Sequence, residues 1–235
     1  MIFDDDMPRL VMLPGLDGTG KLFAEFIRRV GPGADVQIVM YPRDQPLGYA
    51  ELEVLVRAAL PTDRRYVLLG ESFSGPLAIR IAASPPRGLA GVILCGTFAK
   101  NPLPWLRWVR PMAVRLPIKS LPRWLRAVLL WGSARAQRAP ARADRAMTGV
   151  AAAVIRHRIG EILAVDESRR LACIELPILV LTARRDRIVP RAATRWMLNS
   201  APCAQIAEID GPHLLLQSRP DECAVPILQF LRRWI

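Results

Sequence analysis

Three side chains of the chain could together perform nucleophilic catalysis: Ser72, Asp186 and His213. A serine hydroxyl is a poor nucleophile until a base takes its proton, and that base must be oriented by a third group. Histidine suits the role of base near neutral pH, and the only other histidine is His157. These residue types predict a serine nucleophile if the fold brings them together.

Six short apolar runs, rich in Val, Ile and Leu, predict the buried strands of a parallel sheet. They are RLVMLPG, DVQIVMYP, RYVLLGES, LAGVILCGTF, LPILVLTAR and the weaker APCAQIAEIDG. Helical patterns separate or follow them at 21–30, 49–60, 75–83 and 192–199. The alternation predicts an α/β fold: a mostly parallel sheet of about six strands with helices on both faces. RPDECAVPILQFLRRWI predicts a closing helix, with Pro226 at a kink or at its start.

The serine lies where a strand passes directly into a helix, in YVLLGESFSGPLAIRIAA. A serine at such a tight turn projects its hydroxyl above the sheet edge and needs small neighbours, because strand, turn and helix crowd together. Gly70 and Ser74 supply small flanks, and Gly75 adds room. We predict that Ser72 is the nucleophile rather than Ser74, because only Ser72 has a glycine two residues before it. The alternative is that Ser72 only caps the following helix.

The chain resembles the α/β-hydrolase family, in particular small bacterial serine hydrolases with a PGxDGxG loop and a GESxSG elbow. The family pattern GxSxG is met with Ser74 in place of its second glycine. The resemblance implies a triad in the order Ser72, Asp186, His213, with the acid after a late strand and the histidine before the final helix. The alternatives are a core histidine and a surface carboxylate paired with neighbouring arginines. Asp210 is the competing acid, but it lies only three positions before His213.

The early loop LPGLDGTGKLF admits two interpretations. Gly15, Gly20 and Lys21 match the glycine-rich loop that binds nucleotide phosphates, but Leu22 stands where that loop needs Ser or Thr for magnesium. A nucleotide-binding protein is therefore the weaker alternative.

By resemblance, the same loop is the oxyanion loop of the family, formed around Gly15, Asp17 and Gly18. It would stabilise the negative oxygen of a tetrahedral intermediate through the backbone N–H groups of Leu16 and of Phe73, the residue after the nucleophile.

Residues 99–175 interrupt the alternation, because they contain no convincing strand and their apolar residues recur at helical spacing. They carry fifteen Lys and Arg against five Asp and Glu, a surplus of ten within a net charge of +12. We predict an α/β-hydrolase core at 1–98 and 176–235 and a helical cap insertion at 99–175.

Four tryptophans lie beside arginines within this cap. Such a surface would meet an apolar acyl chain on one side and an anionic group on the other, which suggests an acidic acyl carrier or an anionic lipid surface as partner. The alternative is that these side chains only pack the cap. The residues are Trp105, Trp108, Trp124 and Trp131 with Arg107, Arg110, Arg123 and Arg126.

Composition bears on metal binding, localisation and nucleic-acid binding. Four cysteines without a CxxC pair predict reduced thiols and no metal site, and three early aspartates with no long apolar run predict a cytoplasmic chain without a transmembrane segment. No nucleic-acid motif accompanies the basic charge, so we expect no nucleic-acid partner. The expected function is hydrolysis of a small-molecule acyl ester or thioester through an acyl-enzyme, without cofactor. An acyltransferase with the same triad and a non-catalytic binding protein are the alternatives.

Overall fold

A single sheet of six parallel strands organises the chain. The structure, a computed structural model, describes residues 7–31, 33–107, 123–132, 144–201 and 204–233. The strand order is β2-β1-β3-β4-β5-β6, so the chain reverses direction once, between β2 and β3, and then adds strands in order toward the opposite edge. The strands are β1 (Arg9–Leu13), β2 (Val36–Ile38), β3 (Tyr66–Glu71), β4 (Leu89–Cys95), β5 (Ile178–Ala183) and β6 (Ala204–Ile209). All six predicted strands are confirmed.

Alternate residues of the central strands enter two separate cores. Leu68 and Val92 belong to the cluster on one face, whereas Val67 and Ile93 belong to the cluster on the other. Because both faces are covered, β3 and β4 are buried along their whole length, which explains their continuous apolar sequences.

The predicted crossover helices are confirmed and pack on both faces; three match within a residue, whereas the first begins with a 3₁₀ turn at 21–23 before α1. The first core includes residues of α2 (Tyr49–Ala59), α3 (Gly75–Ala82) and α7 (Arg191–Ser200), whereas the second includes residues of α1 (Ala24–Val30), α8 (Leu215–Ser218) and α9 (Pro220–Arg232). The closing helix α9 starts at Pro220, where a missing N–H is harmless. Pro226 lies inside it, so the interpretation of Pro226 as its start is wrong.

Between β4 and β5 the elements named for the described residues are helical, and an isolated β-bridge joins Lys100 to Asp166. The helical elements are a 3₁₀ turn (Pro104–Arg107), α4 (Arg123–Trp131), α5 (Ala152–Ala164) and α6 (Ser168–Ala172). The division of the chain into core and cap stays a prediction. Within the described ranges, the helices lack the combination of length and apolar character that crossing a membrane requires.

Candidate active site

The turn after β3 holds Ser72 in an unusual backbone conformation. Ser72 has a φ of 50°, and elsewhere in the described part of the chain positive φ occurs only at glycines. A side chain rarely adopts this region without a structural constraint, and such strain is typical of functional turns. The residue lies at the start of a 3₁₀ turn (Ser72–Ser74) between β3 and α3. This is the geometry of a nucleophile elbow.

Crowding around the turn explains its small residues. A Cβ on Gly70 would lie 2.6 Å from the carbonyl oxygen of Ser74, and one on Gly75 would lie 1.9 Å from Oγ1 of Thr97. Thr97 also donates a hydrogen bond to the carbonyl of Ser72. Glycine is therefore required at both positions, which the sequence pattern anticipated for Gly70.

Ser72, His213 and Asp186 form one hydrogen-bonded chain. The Oγ of Ser72 lies 2.9 Å from Nε2 of His213, and Nδ1 of His213 lies 2.8 Å from Oδ2 of Asp186. The other carboxylate oxygen of Asp186 accepts hydrogen bonds from the N–H groups of Ile188 and Val189. Since Asp186 can only accept in its ionised form, Nδ1 carries the hydrogen and Nε2 is free to accept the hydroxyl proton.

The sheet explains why these distant residues meet. Asp186 follows β5 and His213 follows β6, and both loops leave the same carboxyl edge of the sheet from which the Ser72 turn emerges. The two late loops are also joined directly, because the N–H of Arg185 donates to the carbonyl of Gly211 at 3.0 Å.

The residues that could have replaced Asp186 and His213 do not join this hydrogen-bonded chain. Asp210 is largely exposed and pairs with Arg185 at 3.0 Å, and Arg184 pairs with Glu208, so neither arginine holds Asp186. His157 is exposed on α5. The side chains of His213 and Asp186 are only 3% and 5% exposed, so their hydrogen bond is protected from water.

The early glycine-rich loop lies against the elbow. A Cβ on Gly15 would lie 3.8 Å from Cβ of Ser72, which places the Leu16 segment beside the hydroxyl. Asp17 is buried and braces the loop by accepting a hydrogen bond from the N–H of Thr19 at 2.9 Å. Gly18 has a φ of +69°, which favours glycine. Lys21 is exposed and opens the 3₁₀ turn before α1.

The second predicted donor, the N–H of Phe73, belongs to a tightly held residue. The ring of Phe73 stacks on Tyr49 at 4.8 Å between centroids, and the hydroxyl of Tyr49 donates to the carbonyl of Phe73 at 2.9 Å. Tyr41 packs edge-on against the same ring.

Ser74 has a role that sequence reasoning missed. Its hydroxyl donates to the carbonyl of Pro14 and lies 2.6 Å from the hydroxyl of Tyr41. The serine that replaces the family glycine thus connects the elbow to the early glycine-rich loop through a hydrogen bond. Burial raises the pKa of Tyr41 far above its ordinary value, so its phenol stays neutral and can donate.

Glu71, immediately before the nucleophile, is a second residue that sequence reasoning missed. Its side chain is buried and accepts a hydrogen bond from Nε2 of Gln217 at 2.8 Å. Burial raises its pKa to about 7, the hydrogen bond from Gln217 opposes this, and Asp17 adds to it. The sequence held one sign of this buried role, because Glu71 ends an apolar run that predicts a wholly buried strand.

The predicted arginine and tryptophan face of residues 99–175 falls largely outside the described residues. Trp108 and Arg110 lie outside them, as do the side chains of Arg107, Arg123, Trp124 and Arg126. Trp105 is 63% exposed, and Trp131 is partly buried at the end of α4.

Comparisons with known proteins agree with this architecture. The chain is 27% identical to the pimeloyl-[acyl-carrier protein] methyl ester esterase of Xanthomonas campestris pv. campestris, over 95% of each protein. Its fold matches the enol-lactonase of Burkholderia xenovorans LB400 with a TM-score of 0.83 and 18% identity, covering 96% of this chain and 92% of the other. A thermophilic esterase from Thermogutta terrifontis matches with a TM-score of 0.78 and 18% identity, covering 96% and 90%. The sequence profile of the alpha/beta hydrolase family matches residues 10–225. The chain therefore belongs to the alpha/beta hydrolase family and is a hydrolase.

Proposed function

We propose that this hydrolase cleaves a carboxylic ester or thioester through an acyl-enzyme on Ser72. The observation that carries the proposal is the hydrogen-bonded chain from Ser72 through His213 to Asp186, with Ser72 held at positive φ on the elbow. The family membership and the esterase among the relatives support it.

Acylation begins when Nε2 of His213 takes the hydroxyl proton as Ser72 attacks the carbonyl carbon of the substrate. The ionised Asp186 stabilises the imidazolium that forms. The N–H groups of Leu16 and Phe73 stabilise the oxyanion of the tetrahedral intermediate, and loss of one such donor costs about 3 kcal/mol of transition-state stabilisation. His213 then returns the proton to the departing alcohol or thiol.

Deacylation repeats these steps with water as the nucleophile. His213 removes a proton from water as the oxygen attacks the acyl group on Ser72. Collapse of the second intermediate then releases the acid while His213 returns the proton to Oγ of Ser72. An acyltransferase would differ only in the acceptor, so the acceptor is the variable to test.

We infer that residues 99–175 act as a cap over this site. The N–H of Leu214, next to the base, donates to the carbonyl of Leu130 on α4 at 3.2 Å. On the other side, Glu161 of α5 accepts a hydrogen bond from the N–H of Tyr49 at 2.9 Å. Both contacts support a cap that borders the site.

The function is tested with a panel of aryl esters and acyl thioesters of increasing chain length, with and without alcohol acceptors. We expect hydrolysis with an optimum in chain length and no gain from the acceptors. Ester product formed at the expense of acid would identify an acyltransferase instead. No turnover of any ester or thioester would contradict the proposal.

The assignment of the acid is tested by a matched pair of variants. Asp186→Asn should lower kcat by about 10⁴-fold, because the amide favours the wrong tautomer of His213. Asp210→Asn is the control and should keep kcat within about twofold, because its carboxylate lies on the surface. A large loss only in Asp210→Asn would show that the acid is misassigned.

We propose further that the basic cap recruits an acyl group attached to an acidic carrier. The excess of ten positive charges on residues 99–175 supports this, as does the name of the Xanthomonas relative. For an acidic acyl-carrier ester, kcat/KM should fall as salt rises, while kcat/KM for a small neutral ester should hardly change. The difference should shrink when Arg107, Arg110 and Arg123 are replaced by Ala. Equal salt responses of the two substrates would contradict recruitment of a carrier and would indicate that these side chains only pack the cap.

A further inference from the structure

One arginine of the cap is buried beside the oxyanion loop. Arg158 of α5 is 1% exposed and is the largest of the fully buried side chains among the described residues. Its Nη1 donates to the carbonyl of Leu16 at 2.9 Å, and its Nη2 donates to the carbonyl of Pro42 at 3.0 Å. Among the described residues, both hydrogen-bond acceptors of this guanidinium are neutral carbonyls, and Asp17 acts on it electrostatically. A buried charge held mainly by neutral groups is costly, which suggests that its charge has a use.

The loop is shaped around this guanidinium. A Cβ on Gly18 would lie only 2.5 Å from Nη1 of Arg158, so the glycine makes room for the group. The guanidinium carbon lies 5.4 Å from the ring centroid of Tyr41 and 5.9 Å from that of Phe73. Arg158 thus contacts both segments that carry the proposed oxyanion donors, the Leu16 loop and the Phe73 turn.

The charge should favour the transition state over the ground state. Carbonyl addition creates a full negative charge on one oxygen, and a positive charge in a site shielded from water attracts it more strongly than it attracts the neutral ester. Holding the carbonyl of Leu16 also restricts rotation of that residue, whose N–H must point at the oxyanion. Asp17 is the anionic group of the loop that faces Arg158.

We propose that Arg158 is a positioning residue that fixes the oxyanion loop from the cap and supplies positive charge next to the oxyanion site. The inference rests on the proposed serine mechanism. It also makes catalysis depend on the position of the cap, because a displaced α5 would remove the hydrogen bond from Arg158 to the loop.

The test compares wild type, Arg158→Met, Arg158→Lys and a control, Arg156→Met, which lies two residues earlier on the same helix and is only partly buried. The substrate is an aryl ester, and the second probe is an alkyl trifluoromethyl ketone, which forms an anionic adduct with an active-site serine.

Arg158→Met should lower kcat about 100-fold with KM within about threefold, and it should weaken inhibition by the ketone by a similar factor. The kcat of Arg158→Lys should be about tenfold higher than that of Arg158→Met, since lysine keeps the charge and one hydrogen bond. Arg156→Met should match wild type.

Each result decides the question. A folded Arg158→Met with normal kcat and normal ketone inhibition overturns the inference, as does a variant that loses thermal stability but keeps both values. If Arg158→Met does not fold, the ratio of ketone inhibition constant to KM in Arg158→Lys decides: an unchanged ratio overturns the inference. Wild type that neither hydrolyses esters nor binds the ketone would overturn the proposed function, and this inference with it. Active wild type with unaffected Arg158 variants would overturn this inference alone.

Discussion

Replacing Glu71 by Gln should stabilise the protein above neutral pH and change little in acid. The Glu71 side chain is 3% exposed and accepts a hydrogen bond from Gln217. Burial raises its pKa from the ordinary value of 4.5 to about 7. Glutamine has nearly the shape of the neutral acid and can still accept from Gln217, but it does not titrate.

The magnitude follows from the two pKa values. Because the folded value is the higher one, the folded protein holds the proton more tightly than the unfolded chain does. The stability from this group is therefore complete below pH 4.5 and is lost as the pH rises through about 7. At about 1.4 kcal/mol for each pKa unit, the loss approaches about 3 kcal/mol in alkali. Glu71→Gln should escape this loss.

The assay is denaturant unfolding of wild type and Glu71→Gln at about pH 5 and about pH 8 in one salt concentration. The difference in unfolding free energy between the two proteins should grow by about 2 kcal/mol in favour of the variant at the higher pH. Taking differences cancels the other titrating groups. Glu175→Gln is the matched control, since that side chain is exposed and should give nearly the same difference at both pH values. An equal difference for Glu71→Gln at both pH values would refute the reasoning.

Three smaller perturbations test other contacts of the site. Tyr41→Phe should lower the unfolding free energy by about 1 kcal/mol, measured in denaturant, because the hydroxyl of Ser74 loses a partner at 2.6 Å; no loss would mean that the contact contributes nothing. Gly70→Ala should abolish ester hydrolysis, because its methyl group would lie 2.6 Å from a backbone oxygen; normal kcat would contradict the crowding argument. Lys21→Ala should keep kcat within about threefold, and calorimetry should detect no ATP binding to wild type, since Lys21 is a surface residue here; saturable ATP binding lost in the variant would revive the phosphate-loop interpretation.

The sequence predicted the sheet well because its strands are buried on both sides. Residues of β3 and β4 must be apolar at nearly every position, and such runs are visible without knowledge of their neighbours. The meeting of the Ser72 turn with the two late loops follows from the rule that parallel strands share a carboxyl edge.

The polar residues around the site were harder to predict, because their roles depend on partners distant in sequence. Ser74 was interpreted only as a small flank, yet its hydroxyl reaches Pro14, sixty residues earlier. Arg158 entered the sequence analysis only as one of the fifteen basic residues counted in 99–175. Its spacing was informative, however, since it follows the buried Val154 and Ile155 by four and three residues and so lies on the apolar face of α5.

The most direct test of the central claim is covalent labelling by a fluorophosphonate, read by intact mass and by peptide mapping. The account predicts one adduct per chain, located on Ser72, absent from Ser72→Ala and still present in Ser74→Ala. An adduct that survives in Ser72→Ala, or one mapped to another residue of the wild type, would contradict it.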